Sequence, residues 1–130
     1  MASIFTKIIK GELPSYKIAE NESHLAFLDI HPAARGHTLV IPKVEIDYLF
    51  DLPDTLLTDT VLFAKEVAVA IDKALNPLRT GLIVEGLEVP HAHIHLIPVY
   101  ERTQDFSLGK KVDLSGDEMA EIARLISEKF

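Results

Sequence analysis

Apolar positions along the chain change period several times, and each change marks an element. Ser3 can cap a short helix over Ile4–Lys10, which Gly11 ends with Pro14 shortly beyond. Two apolar runs of strand type, Tyr16–Ala19 and His24–Ile30, flank the turn-prone Glu20-Asn21-Glu22-Ser23 and read as an antiparallel hairpin. Pro32 and Gly36 bracket a loop, and the β-branched content of His37–Pro42 predicts a third, mostly buried strand. The period then lengthens. Leu57, Val61, Phe63, Ala64, Val67, Ala68 and Ile71 recur at steps of three and four, which predicts a helix over Thr55–Leu75 with one broad apolar face. Pro53-Asp54 opens it and Asn76-Pro77 stops it. Thr80–Val84 and His91–Tyr100 read as a fourth and a fifth strand around the loop Glu85–Pro90. Glu101–Leu114 is polar and carries no strong period. The last helix begins at Ser115, which forms a capping box with Glu118, and runs through Ile122, Leu125 and Ile126.

Strands joined by short connections predict an antiparallel sheet with helices on one side, an α+β fold. At 130 residues the chain is expected to be one domain, 1–130, with a sizeable core. Its apolar fraction of 48% and charged fraction of 25% are ordinary for a soluble globular protein. The best apolar run, Val61–Ile71, is broken by Lys65 and Glu66, so no membrane span is expected. The start, MASIFTKIIKGELP, lacks the features of a secretory signal, and the absence of cysteine fits a reducing compartment, so a cytoplasmic location is expected. Disulfides and thiolate metal sites are excluded. With a net charge of −7 and scattered Lys and Arg, the chain has no basic patch for nucleic acid. A small nucleotide remains compatible with that charge.

The residues that ask for an explanation are His91-Ala92-His93-Ile94-His95. On a strand, alternate side chains share a face about 6–7 Å apart, so three imidazoles would face one way and one phosphate could touch two of them. Three readings are open: a zinc site, a nucleophilic site in which a neutral ring attacks phosphorus, and a structural cluster. No HExxH and no second ligand pair supports a metal. Grouped imidazoles also oppose one another's protonation, which keeps at least one neutral near pH 7. His37, directly after Gly36, could bring a fourth ring to the same sheet end; taken alone it reads as a surface histidine. Asp29 is either a turn residue or a carboxylate for ribose hydroxyls. By pattern alone Phe5, Ile8 and Phe27 read as core, His24 and His31 as exposed, and Glu88 as a weak candidate near a leaving group.

His91-Ala-His93-Ile-His95-Leu-Ile-Pro98 resembles the alternating signature of the histidine triad (HIT) nucleotide-binding proteins. The resemblance extends through Ile4–Pro14, Leu25–Ile30 and Gly36–Lys43, in order. It implies an antiparallel α+β sheet, extended in many members across a two-fold axis, and so a homodimer. It also implies a hydrolase or transferase acting through a covalent nucleotidyl-histidine. His93 would be the nucleophile, His95 and His37 would orient and polarise it, and His91 would help bind phosphate or handle the leaving group. Asp29 falls at the ribose position, and Phe5, Ile8, Phe27 and Ile30 at the nucleoside pocket.

Two departures stand out. Many members carry cysteines near the first block that help form a structural zinc site, where this chain has Ser3 and Thr6. The Asn-Gly and Gly-Gln often found before the triad are replaced by Gly81–Pro90, with Leu87 at the glutamine position. The expectation is a hydrolase of purine nucleoside phosphoramidates or related nucleotidyl conjugates, needing no metal and no cofactor. The alternatives are a diadenosine polyphosphate hydrolase and a nucleotide-binding module with little catalysis.

Overall fold

The computed structural model describes residues 2–130. The elements are α1 (Ile4–Ile9), β1 (Lys17–Glu20), β2 (His24–Leu28), β3 (Thr38–Pro42), α2 (Asp54–Leu75), β4 (Arg79–Ile83), β5 (Ile94–Val99) and α3 (Gly116–Lys129). A single 3-10 turn, Leu49–Asp51, precedes α2 and had no signature in the apolar pattern. The five strands form one antiparallel sheet in the order β1-β2-β3-β5-β4.

Register decides which side chains share a face. Opposite Leu39 stand Phe27 on β2 and His95 on β5, while opposite Val40 stand Ala26 and Ile94. One face therefore carries Ala26, Leu28, Val40, Ile94 and Leu96, packed under Phe63, Val67 and Ile71 of α2 and Met119, Ile122 and Ile126 of α3. The other face carries Leu25, Phe27, Leu39 and Ile41, packed against Phe5, Ile8 and Ile9 of α1. Helices thus lie on both sides of the sheet, not on one. The short α1 covers the face that also carries His95.

The long helix buries Thr60, Phe63, Ala64, Val67, Ala70 and Ile71. That stripe is one residue out of phase with Val61, which is 45% exposed, so Thr60 replaces it toward the core. A 100° step per residue is enough to turn a side chain away from the sheet. The expected stop holds: Asn76 takes the left-handed conformation ahead of Pro77, and its N–H bonds to Asp72 O. The capping box of Ser115 and Glu118 is also present, with both hydrogen bonds made.

His24 departs from its expected exposure. It is buried, its Nε2 lies 2.7 Å from Thr60 Oγ1, and its ring stacks on Phe63. Because the Thr60 hydroxyl donates to Leu56 O at 2.7 Å, the ring must supply the proton of the pair. This polar clasp joins β2 to α2 inside the core. His31 is exposed, as expected.

Candidate active site

The fifth strand starts at Ile94, three residues later than the apolar pattern suggests, so His91 and His93 lie in the turn before it. The backbone explains this. His91 N–H bonds to Val89 O at 2.8 Å and Ala92 N–H to Ile46 O at 2.7 Å, so neither joins a neighbouring strand. The three rings therefore do not share one strand face. They still gather, because the turn leaves the His93 and His95 centroids 4.9 Å apart and places Phe5 5.0 Å from His93.

Three backbone contacts assign the tautomers, since a carbonyl only accepts and an amide N–H only donates. Ala33 N–H donates to His37 Nδ1 at 2.9 Å. His37, when neutral, then carries its proton on Nε2 and donates to His95 Nδ1, also at 2.9 Å. His95 is left with its proton on Nε2. On the other side, His93 Nδ1–H donates to His91 O at 2.7 Å, which leaves Nε2 of a neutral His93 as a free lone pair. Finally, His91 Nε2–H donates to Pro42 O at 2.8 Å, and its Nδ1 accepts from Ser3 Oγ at 2.9 Å.

Burial disfavours the charged form of His37, His95 and His91. It pushes His37 down to about 4, and the Lys111 charge acts in the same direction. His95 is also pushed down to about 4 by burial, helped by His93, His37 and Lys111 and opposed by Asp29. His91 is lowered mainly by burial, against the pull of Pro42 O and Glu45.

His93 and His95 open onto a cavity of 470 Å³, within the range of small-molecule sites. Phe5, Ile8, Phe27 and Ile30 line it, as does Asp29. All five expected nucleoside and ribose residues therefore meet at one cavity, with Ile30 at 64% exposure. Asp29 spends one oxygen on His31 N–H at 2.8 Å, while the other lies 3.6 Å from His37 Nε2. The donor atoms of Asp29, His37 and His95 come within 4.8 Å of one another, the set that could hold a metal ion.

The structure gives His91 a different setting from the one the resemblance implies. Its ring is fully buried, does not line the cavity, and has both nitrogens engaged. Ser3 and Thr6, at the positions where the resemblance implies cysteines, form a hydrogen-bonded clasp with it. Thr6 Oγ1 and Ser3 N–H both donate to Glu45 Oε1 at 2.6 Å, which holds that carboxyl at about 2. The clasp ties α1, and with it Phe5 and Ile8, to the turn that carries His93. Glu88 lines the cavity beside Glu85.

Residues that pattern reading missed are Leu108 and Lys111, which line the cavity from the unpatterned stretch after β5. Only chain folding brings them there, and no periodicity announces it.

Against this geometry stand three comparisons. The HIT domain family model matches residues 10–102. An adenosine 5'-monophosphoramidase of Saccharomyces cerevisiae is 43% identical over 109 residues, 83% of this chain and 69% of that protein. One from Schizosaccharomyces pombe is 35% identical over 134 residues, 100% of this chain and 99% of its own. A solved HIT-like protein from Bartonella henselae superposes with a TM-score of 0.87 at 29% identity, covering 98% of this chain and 96% of that one. With its triad motif, its five-stranded antiparallel sheet and a match over most of its length, this chain belongs to the HIT domain family.

Proposed function

We propose that this protein is a hydrolase of purine nucleoside phosphoramidates or related nucleotidyl conjugates, working through a covalent nucleotidyl-histidine. The observation that carries the reading is the hydrogen bond from His93 Nδ1 to His91 O, which leaves Nε2 as the lone-pair nitrogen of the neutral ring, on a residue that lines the cavity. That nitrogen attacks the α-phosphorus, a P–N bond to His93 forms, and the P–N bond to the leaving amine breaks with the amine taking a proton. Water then attacks the same phosphorus, and His93 leaves with the nucleoside monophosphate released. Two modest displacements replace one hard one. His95, which also lines the cavity, would donate its Nε2–H to a phosphoryl oxygen as charge grows there. His37 is a positioning residue that fixes the His95 tautomer through the Ala33 amide.

Phe5, Ile8, Phe27 and Ile30 would hold the base, and Asp29 would accept from the ribose hydroxyls. Monophosphoramidase activity in two fungal relatives supports the substrate class. The domain extends past the matched segment, because α1 supplies cavity residues and α3 covers the sheet. A homodimer is supported by the edge strand β4, where Leu82 is 51% exposed. Among the described residues no helix is long and apolar enough to cross a membrane.

Incubation with adenosine phosphoramidate should release AMP and, on rapid quenching without acid, leave a nucleotidyl adduct on wild-type protein. His93→Ala should show neither. Turnover by that variant equal to wild type would remove His93 from the mechanism. One observation favours the binding-module alternative: Leu87, at 82% exposure, occupies the position at which the resemblance implies a glutamine. AMP binding without turnover of any conjugate would select it.

A further inference from the structure

The cavity that would hold a phosphate is poor in positive charge. Asp29, Glu85 and Glu88 line it, and burial disposes the His95 imidazole to stay neutral. Besides those two glutamates, the loop before the triad lines the cavity with Gly86, Leu87 and Val89, none of which carries a neutral polar or basic side chain. Among the described residues lining it, Lys111 is the only lysine or arginine.

Lys111 does not arrive there on a loose tail. Gln104 accepts from Tyr100 N–H at 2.7 Å and donates to Pro98 O at 2.8 Å, which folds the chain back after β5. Phe106 then lies on Gly81 so closely that a Cβ there would meet ring atoms at 2.1 Å. Leu108 and Phe106 pack against Ala33, Ala34 and Ile97. Immediately after Lys111, Val112 N–H donates to Pro32 O at 2.9 Å. That anchor sits one residue before Ala33, whose amide sets the His37 tautomer. The segment after β5 thus pins a lysine beside the catalytic relay, and no salt bridge engages its ammonium among the described residues.

We propose that Lys111 is the phosphate-binding cation of this site, recognising the phosphoryl oxygens of a nucleoside monophosphate group in place of polar contacts from the loop before the triad. This rests on the nucleotide reading above. A lysine acts as a compact charge on a flexible stem and tolerates variation in the group attached to phosphorus. Its charge also opposes protonation of His37 and His95, so one residue would both attract the anion and keep the relay neutral.

The test compares wild type, Lys111→Gln, Lys111→Arg and the control Lys110→Gln for binding of AMP and of adenosine by calorimetry. Lys111→Gln should weaken AMP by about tenfold or more, as expected for loss of a charge-assisted contact, and leave adenosine unchanged. Lys111→Arg should recover most of the loss, and Lys110→Gln should match wild type. Imidazole titrations followed by NMR should move upward for His37 and His95 in Lys111→Gln, which a purely structural lysine would not produce. AMP affinity equal in Lys111→Gln and wild type overturns the inference and leaves the nucleotide reading standing. Wild-type protein that binds adenosine as tightly as AMP overturns phosphate recognition by Lys111 as well. If wild type binds neither, the nucleotide reading falls and this inference falls with it.

Discussion

Lowering the pH from 7.5 to 5 should destabilise the fold steeply, before its carboxylates take up many protons. His37 and His95 are pushed to about 4 in the folded protein, against 6.5 for a free imidazole. Between those values the unfolded chain binds more protons, so stability is full above about pH 6.5 and is lost as pH falls toward 4. Each ring contributes a slope of about 1.2 kcal/mol per pH unit near pH 5.5, and the pair about 2.4. From pH 7.5 to 5 that sums to about 4 kcal/mol, a large part of the 5–15 kcal/mol typical of a domain. His24 and His91 are lowered too and add in the same sense. Geometry gives the same sign, because protonating Nδ1 of either ring removes the acceptor for Ala33 N–H or for His37 Nε2–H. Urea unfolding in steps between pH 7.5 and 5 measures the effect. With a urea slope of about 2 kcal/mol/M, the midpoint should fall by about 2 M. His37→Gln should lose about half of the pair's contribution to the pH slope. A midpoint that stays level down to pH 5, or an unchanged slope in His37→Gln, would refute a neutral buried relay.

Three further outcomes follow from packing. Gly36→Ala forces a side chain onto a backbone with φ of 91° and brings its Cβ to 2.4 Å from Leu75 Cδ1, so thermal unfolding should report a loss of about 2 kcal/mol or more. Thr60→Val removes the acceptor for His24 Nε2–H inside the core and should cost about 1–3 kcal/mol in the same assay. Ser3→Ala takes away the donor to His91 Nδ1 and the N-cap of α1. It should cost about 1–2 kcal/mol, and because Phe5 and Ile8 ride on α1, steady-state kinetics should show KM rising more than kcat falls.

Local pattern was enough to place the elements, because helix and strand periods, caps and breakers act over a few residues. Asn76-Pro77 stops α2 and Ser115 starts α3 through contacts made within one turn. The motif from His91 to His95 and its companion blocks were likewise legible as a resemblance, down to Asp29 and the four apolar residues that meet at the cavity. What local order could not determine was whatever depends on distant backbone. His91 and His93 leave the strand because Ile46 and Val89 claim their turn. Val61 yields to Thr60 because the phase of α2 is set by the sheet beneath it. The proton positions in the relay follow from Ala33, His91 and Pro42 carrying an amide or carbonyl to the right ring. Lys111 reaches the cavity only because Gly81 leaves room for Phe106 and Pro32 holds Val112. Periodicity records which faces a segment must bury, whereas a binding site is made where segments far apart in the chain are packed side by side.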